Sequence, residues 1–184
     1  HTMKWTMGIT QWCLPGNRDY TLRLAKQLGF DAVQLEFGSY ENGMALSHSR
    51  LRKLYIEESK ELGIKLLPLT INALCRYGVV NGFDTQDGKI AKDTILASLE
   101  AAADMGMEGV TIPSFGAGTI QKASDYEHTV EALRFACEHK TNGFCCHSVS
   151  FIIIKIAKHL RRMEYQSDSN NFMSVSQMCA LYQS

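Results

Sequence analysis

The chain has little proline and no net charge, and both features limit what kind of protein it is. Its 184 residues include three prolines, and 19 basic residues balance 19 acidic ones. Such a balance lacks the basic patch typical of proteins that bind nucleic acid or anionic membranes, so neither partner is expected. The longest apolar stretch near the C-terminus covers residues 151–154, too short to cross a bilayer, and the first residues do not resemble a secretory signal. We therefore predict a cytoplasmic protein.

Metal-site and nucleotide-site motifs are also missing. The six cysteines include no CxxC pair, and in an intracellular protein such cysteines are expected to be small buried side chains. Cys137, His139, Cys145, Cys146 and His147 form a cluster in the sequence, but their spacing matches no established zinc pattern. No GxGxxG, P-loop, HExxH or nucleophile-elbow motif is present, so nothing supports nucleotide binding.

The sequence contains three repeats of one pattern, in which a helical segment ends in glycine and an apolar run follows directly. The helical patterns end at Gly29, Gly63 and Gly106, and the runs cover residues 32–37, 65–71 and 109–115. Glycine closes a helix readily because it adopts the left-handed conformation without steric cost. With an earlier run at residues 7–14, the pattern predicts four parallel strands joined by helices. Pro68 removes a ladder donor and predicts a kinked third strand.

Helices are predicted at about residues 20–28, 49–62, 89–105 and 124–139. A capping box of Ser124 and Glu127 is expected to open the last of them. After Thr141 the pattern changes, and residues 144–184 contain neither glycine nor proline. We interpret residues 141–184 as an unrelated tail, helical or partly disordered, of the kind that a frameshift or early stop would produce.

The segments ITQWCLPG, VQLEFGSY, LLPLTIN, VTIPSFGAG and YEHTVEALRFACEHK, in this order, resemble the xylose isomerase-like TIM barrels, a family of sugar phosphate isomerases and epimerases. The resemblance covers about residues 5–140 and matches the first four βα units of that eight-unit barrel. It implies an α/β fold in which residues 4–140 form a parallel (β/α)4 half of a TIM barrel. A half barrel leaves two open strand edges and an inner face of Ile, Leu and Val exposed to water. Either the tail folds back over the open side or two chains meet, and completion by a homodimer is expected.

The resemblance also implies a substrate wall at the carboxyl ends of the first three strands. The matching positions are Gln11, Trp12, Glu36 and Asn72, with Arg76 in the following loop. There Glu36 can hydrogen-bond sugar hydroxyls, or it can simply pair with a neighbouring lysine or arginine. Trp12 can stack on a sugar ring or fill the core, and Arg76 can meet a phosphate or be an ordinary surface arginine. The expected ligand is a sugar or sugar phosphate.

In the family, two glutamates, an aspartate and a histidine on strands five to eight hold a divalent metal such as Mn, Mg, Co or Zn. None of those strands is recognisable here, so we expect this chain to bind no metal. The resemblance thus implies an isomerase or epimerase that acts by metal-dependent proton transfer and is weak or inactive as this chain. Two alternatives stay open, namely a non-catalytic dimeric carbohydrate-binding or assembly module and a metal-dependent endonuclease at abasic DNA sites. The zero net charge disfavours the endonuclease.

Overall fold

The computed structural model describes residues 6–16 and 18–139, in which short strands alternate with helices. The strands are β1 (Gly8–Thr10), β2 (Ala32–Gln34), β3 (Lys65–Leu66), β4 (Leu69–Thr70) and β5 (Val110–Thr111). The helices are α1 (Thr21–Gln27), α2 (Ser49–Leu62), α3 (Gln86–Asp104) and α4 (Ala123–Glu138). None of these four helices is long and apolar enough to cross a membrane. The predicted tail, with Cys145, Cys146 and His147, lies outside the described residues.

All strand pairs are parallel, as predicted. β1 pairs with β2 and β2 with β3, whereas β4 pairs with β5. β3 and β4 are the two halves of the predicted third strand, interrupted at Pro68, so the predicted kink is confirmed. The main chain of Thr70 donates to Leu35 O at 2.9 Å, while that of Ile71 donates to Thr111 O at 3.0 Å. Hydrogen bonds therefore run continuously from β1 to β5.

The hydrophobic core lies between one face of these strands and the helices. Val33, Leu35 and Phe37 alternate along β2 and its extension, and all three are fully buried. Their neighbours Gln34 and Glu36 therefore lie on the opposite face, since successive side chains of a strand alternate. The expectation that Ile, Leu and Val line that face is wrong for the described strands. Their branched apolar side chains are mostly used to pack against the helices.

Two helix starts differ from the prediction. α3 begins three residues earlier than expected because Thr85 caps it, its hydroxyl accepting from Gly88 N at 3.0 Å. The capping box predicted for Ser124 and Glu127 is wrong. The carboxylate of Asp125 accepts instead from the main-chain N–H groups of Gln121 at 3.0 Å and of residue 122 at 3.2 Å. An aspartate in the first turn satisfies donors that the helix leaves unpaired.

The loops after β4 and β5 pack backbone against backbone. Gly116 has a φ of +61°, and a Cβ there would lie 2.6 Å from the carbonyl oxygen of Cys75. A Cβ on Gly78 would likewise overlap the carbonyl of Ala117. Only glycine permits so close an approach. The two loops are therefore held together at the carboxyl edge of the strands.

Candidate functional site

The candidate site lies at the carboxyl ends of the parallel strands, on the face turned away from the helices. Five polar residues share this face, as the strand register shows: Thr10, Gln34, Glu36, Thr70 and Thr111. The Gln34 amide crosses the kinked strand, donating to Pro68 O at 3.0 Å and to Thr111 Oγ1 at 3.2 Å. In α/β barrels this edge is where binding residues collect. The arrangement offers hydroxyl, amide and carboxylate groups to a polar ligand.

Glu36 is the one charged residue among these five, and it is mostly buried. Its side chain is 13% exposed, and Arg18 Nη2 lies 3.0 Å from its Oε2. Arg18 comes from the loop after β1, and its own side chain is about half exposed. The pairing with an arginine that the sequence offered as an alternative is therefore present. A contact between Glu36 and a sugar stays a prediction.

Gln11 is buried, and its side chain links three elements. Its Oε1 accepts from the main-chain N–H of Glu36 at 3.0 Å, and its Nε2 donates to Tyr55 OH at 3.1 Å. The Tyr55 hydroxyl donates in turn to the carbonyl oxygen of Arg18 at 3.0 Å. With the Arg18–Glu36 ion pair, these bonds close a ring that we call the Glu36 circuit: Glu36, Gln11, Tyr55 and Arg18. A direct contact between Gln11 and substrate stays a prediction.

The Tyr55 hydroxyl stays protonated and acts as a neutral hydrogen-bond donor in this circuit. Burial raises the pKa of its hydroxyl, an effect only partly opposed by the hydrogen bonds with Gln11 and Thr21. The phenol therefore keeps its proton across the neutral range and can donate to the Arg18 carbonyl. A side branch leaves the circuit at Gln11, whose Nε2 also donates to Thr21 Oγ1 at 3.0 Å.

Trp12 and Asn72 are two further predicted residues that follow strands. Trp12 lies in a 3-10 turn directly after β1 and is 51% exposed, so it does not fill the core. Stacking of Trp12 on a sugar stays a prediction. Asn72 follows β4, and its Oδ1 accepts from Gly38 N at 2.9 Å. Gly38 has a φ of +111°, a conformation that favours glycine, so Asn72 fixes the start of the loop after β2.

Arg76 belongs to a second group at this edge. Its Nη1 lies 2.8 Å from Glu41 Oε1, and Tyr77 OH donates to the same oxygen at 2.7 Å. We call Glu41, Arg76 and Tyr77 the Glu41 clasp, because it ties the loop after β2 to the loop after β4. The hydrogen bond from Tyr77 lowers the pKa of Glu41, with a smaller contribution from Arg76, and raises the pKa of Tyr77.

The cysteines are less buried than expected. Cys13 is exposed, while Cys75 and Cys137 are half-buried, so the expectation of buried cysteines is wrong for these three. Cys13 lies in the turn after β1, where Thr10 Oγ1 donates to its sulfur. Burial and the nearby charge of Glu36 raise the pKa of Cys75, so its thiol stays protonated at neutral pH.

Several groups at this edge were missed by the sequence analysis. Arg18, Glu41 and Tyr77 lie on loops with no motif, and Tyr55 fits the apolar face of α2 equally well. Thr70 is buried, and its hydroxyl has no hydrogen-bond partner among the described residues. Its position at the end of a predicted strand could have identified Thr70 as a candidate. That its hydroxyl lacks a partner could not be predicted, because this depends on which side chains pack around it in the folded protein.

The described residues do not form the metal site that the resemblance implies. In residues 6–16 and 18–139, no three His, Cys, Asp or Glu side chains come together to hold an ion. The circuit and the clasp each contain a single carboxylate, and arginine neutralises both. The expectation that this chain binds no metal stays a prediction.

These features define a class, a mixed α/β protein with parallel strands and a partial TIM-barrel-like fold. No family model matches the chain. It is 27% identical over 130 residues to 2-epi-5-epi-valiolone 7-phosphate 2-epimerase of Actinoplanes sp., a match covering 71% of this chain and 46% of that protein. It also resembles the crystal structure of apo 3-keto-D-glucoside 4-epimerase, YcjR, from E. coli, with a TM-score of 0.53 and 20% identity. That likeness covers 74% of this chain and 53% of the other.

The predicted resemblance to isomerases and epimerases is confirmed, since both relatives are named as epimerases. The chain spans about half the length of these two relatives. The fold of the described residues agrees with a part of such a barrel.

Proposed function

We propose that the described part of this chain forms the substrate-binding wall of a sugar epimerase or isomerase. The observation that carries the proposal is the match over 130 residues to an epimerase named for a phosphorylated cyclic substrate. The polar carboxyl edge supports it, because Glu36 and Arg18 lie where barrels of this kind bind their ligands. The ligand class is a sugar or a sugar phosphate.

The chemistry of the edge suits a polyol. Sugar hydroxyls both donate and accept, and the Glu36 carboxylate can accept from one hydroxyl while the half-exposed Arg18 guanidinium donates to its neighbour. The exposed ring of Trp12 can cover the C–H face of the same sugar. The residues thus bind and orient the ring, and we assign none of them a proton-transfer step.

A phosphate on the sugar would meet the Glu41 clasp. Arg76 is well exposed, and an ion pair of exposed groups contributes little to stability, so a phosphate can compete with Glu41 for the guanidinium. The Arg76→Met variant should therefore weaken binding of 2-epi-5-epi-valiolone 7-phosphate and leave binding of the uncharged 3-keto-D-glucoside unchanged. Equal weakening of both ligands would contradict a phosphate contact.

Titration calorimetry with 3-keto-D-glucoside tests the proposal on Glu36. Losing a hydrogen bond to a charged group costs about 1.5–3 kcal/mol, so Glu36→Gln should weaken binding by roughly tenfold or more. The matched control is Glu58→Gln. Glu58 also pairs with an arginine, at 2.7 Å, and its side chain is 16% exposed, but it lies on α2 away from the edge. Equal affinities for Glu36→Gln and the unaltered chain would contradict the proposal.

Turnover is tested separately from binding. Proton NMR would follow epimerisation of 3-keto-D-glucoside, and aldose–ketose interconversion of common sugars, with and without added Mn²⁺, Mg²⁺ or Co²⁺. We expect weak or no turnover from this chain, the outcome anticipated from its sequence. Binding without turnover would favour the carbohydrate-binding module, whereas rapid turnover would show that this chain is an active enzyme.

A homodimer remains part of the proposal. Among the described strands, β1 and β5 each have one neighbour, so both present an edge that another copy can pair with. Light scattering on the purified chain tests this. A mass of two chains is expected, and a monodisperse monomer would contradict it.

A further inference from the structure

The Glu36 circuit joins four residues from separate segments of the chain. Glu36 extends from β2, Gln11 follows β1, Tyr55 lies on α2, and Arg18 belongs to the loop between β1 and α1. Each link is 3.0–3.1 Å long. The circuit begins at the main-chain N–H of Glu36 and ends at the carboxylate of the same residue. Both the backbone and the side chain of Glu36 are therefore fixed by the same ring.

Arg18 would otherwise be poorly placed to orient a carboxylate. Its side chain is about half exposed, and a solvent-exposed arginine samples many rotamers. The hydrogen bond from Tyr55 OH instead holds the Arg18 main chain, at 3.0 Å, against α2. Tyr55 is buried and keeps its proton, so this anchor persists across the neutral pH range.

We propose that Tyr55 and Arg18 are positioning residues for Glu36, with Tyr55 acting through the Arg18 main chain. Tyr55 itself needs no contact with the ligand, since its hydroxyl bonds to Gln11 and Arg18 inside the circuit. The inference rests on the proposed function, in which the Glu36 carboxylate accepts a hydrogen bond from a sugar hydroxyl. It predicts that removing one buried hydroxyl weakens sugar binding only while the Glu36 carboxylate is present.

A double-mutant cycle with 3-keto-D-glucoside tests this coupling. Tyr55→Phe should weaken binding about fivefold, the equivalent of one net hydrogen bond, in the otherwise unaltered chain. In a Glu36→Gln background the same substitution should change affinity less than twofold. The control is Thr21→Val, which removes the hydrogen bonds that Thr21 makes with Gln11 and Tyr55 but leaves all four links of the circuit in place, so its affinity should equal that of the unaltered chain.

The possible results are separable. Equal effects of Tyr55→Phe in both backgrounds would show a general structural role and overturn the positioning proposal while leaving Glu36 as a ligand residue. No effect of Glu36→Gln alone would overturn the proposed function and the positioning proposal with it. If Tyr55→Phe fails to fold by circular dichroism, Arg18 decides the question. Arg18→Ala should then weaken binding more in the otherwise unaltered chain than in the Glu36→Gln background, whereas equal effects in both backgrounds would overturn the proposal.

Discussion

Replacing Thr70 with valine should stabilise the protein. Thr70 is 4% exposed at the end of β4, and its hydroxyl has no hydrogen-bond partner in the described part of the chain. Valine has the same branched shape and the same preference for a strand, so the substitution changes little except the hydroxyl. A buried polar group without a partner costs about 1–3 kcal/mol of desolvation. Taking the lower end, the free energy of unfolding should rise by about 1 kcal/mol, and Tm by about 3 °C for a chain of this size.

Thr111→Val is the matched control, because Thr111 is the register partner of Thr70. Its hydroxyl accepts from Gln34 Nε2 at 3.2 Å, and losing that bond should lower the free energy of unfolding by about 1 kcal/mol. Urea unfolding of the two variants, followed by circular dichroism, should therefore shift in opposite directions. A Thr70→Val variant as unstable as Thr111→Val would refute the reasoning, because the Thr70 hydroxyl would then have a partner in solution.

Three further predictions concern other parts of the molecule. Arg52 is buried and bonds a carboxylate and two main-chain carbonyls, so Arg52→Met should lower the free energy of unfolding by about 2 kcal/mol, measured in urea. Gly116→Ala should cost about 3 kcal/mol and Gly63→Ala about 1 kcal/mol, since both have positive φ but only Gly116 faces a neighbouring carbonyl; equal costs would contradict this. Tyr77→Phe should raise the pKa of Glu41 toward its usual value, and an unchanged carboxyl titration by carbon-13 NMR would contradict the clasp. A lowered pKa stabilises the folded state above the usual carboxyl range, and this contribution is lost as the pH falls through the lowered value.

The strands and helices followed from local signals in the sequence. Each predicted apolar run contains an observed strand, and Gly63 closes α2 in the left-handed conformation. The kink at Pro68 was predictable because proline has no donor. Alternation in AVQLEF also places Gln34 and Glu36 on one face, so the polar face could have been inferred from the sequence. Expecting Ile, Leu and Val there ignored the helices that cover the other face.

The candidate site was only partly predictable. Glu36, Asn72 and Trp12 follow strands, and the rule that barrel ligands bind at carboxyl ends was sufficient to propose them. Arg18 and Tyr55 were not found, because their hydrogen bonds join residues 37 positions apart and depend on how α2 packs against the loop after β1. The burial of the cysteines was also predicted wrongly. Cys13 lies in an exposed turn rather than in the core, and its amino-acid type alone does not reveal this.

NMR chemical-shift mapping with 3-keto-D-glucoside tests the central claim most directly, because it locates the ligand without requiring turnover. If the carboxyl edge binds the sugar, the Trp12 indole and the Glu36 and Asn72 amides should shift together as the ligand is added. The amides of Gly29 and Gly63, in the turns that precede β2 and β3 at the other end of the strands, should stay in place. Shifts confined to those turns, or no shifts at saturating sugar, would contradict the account.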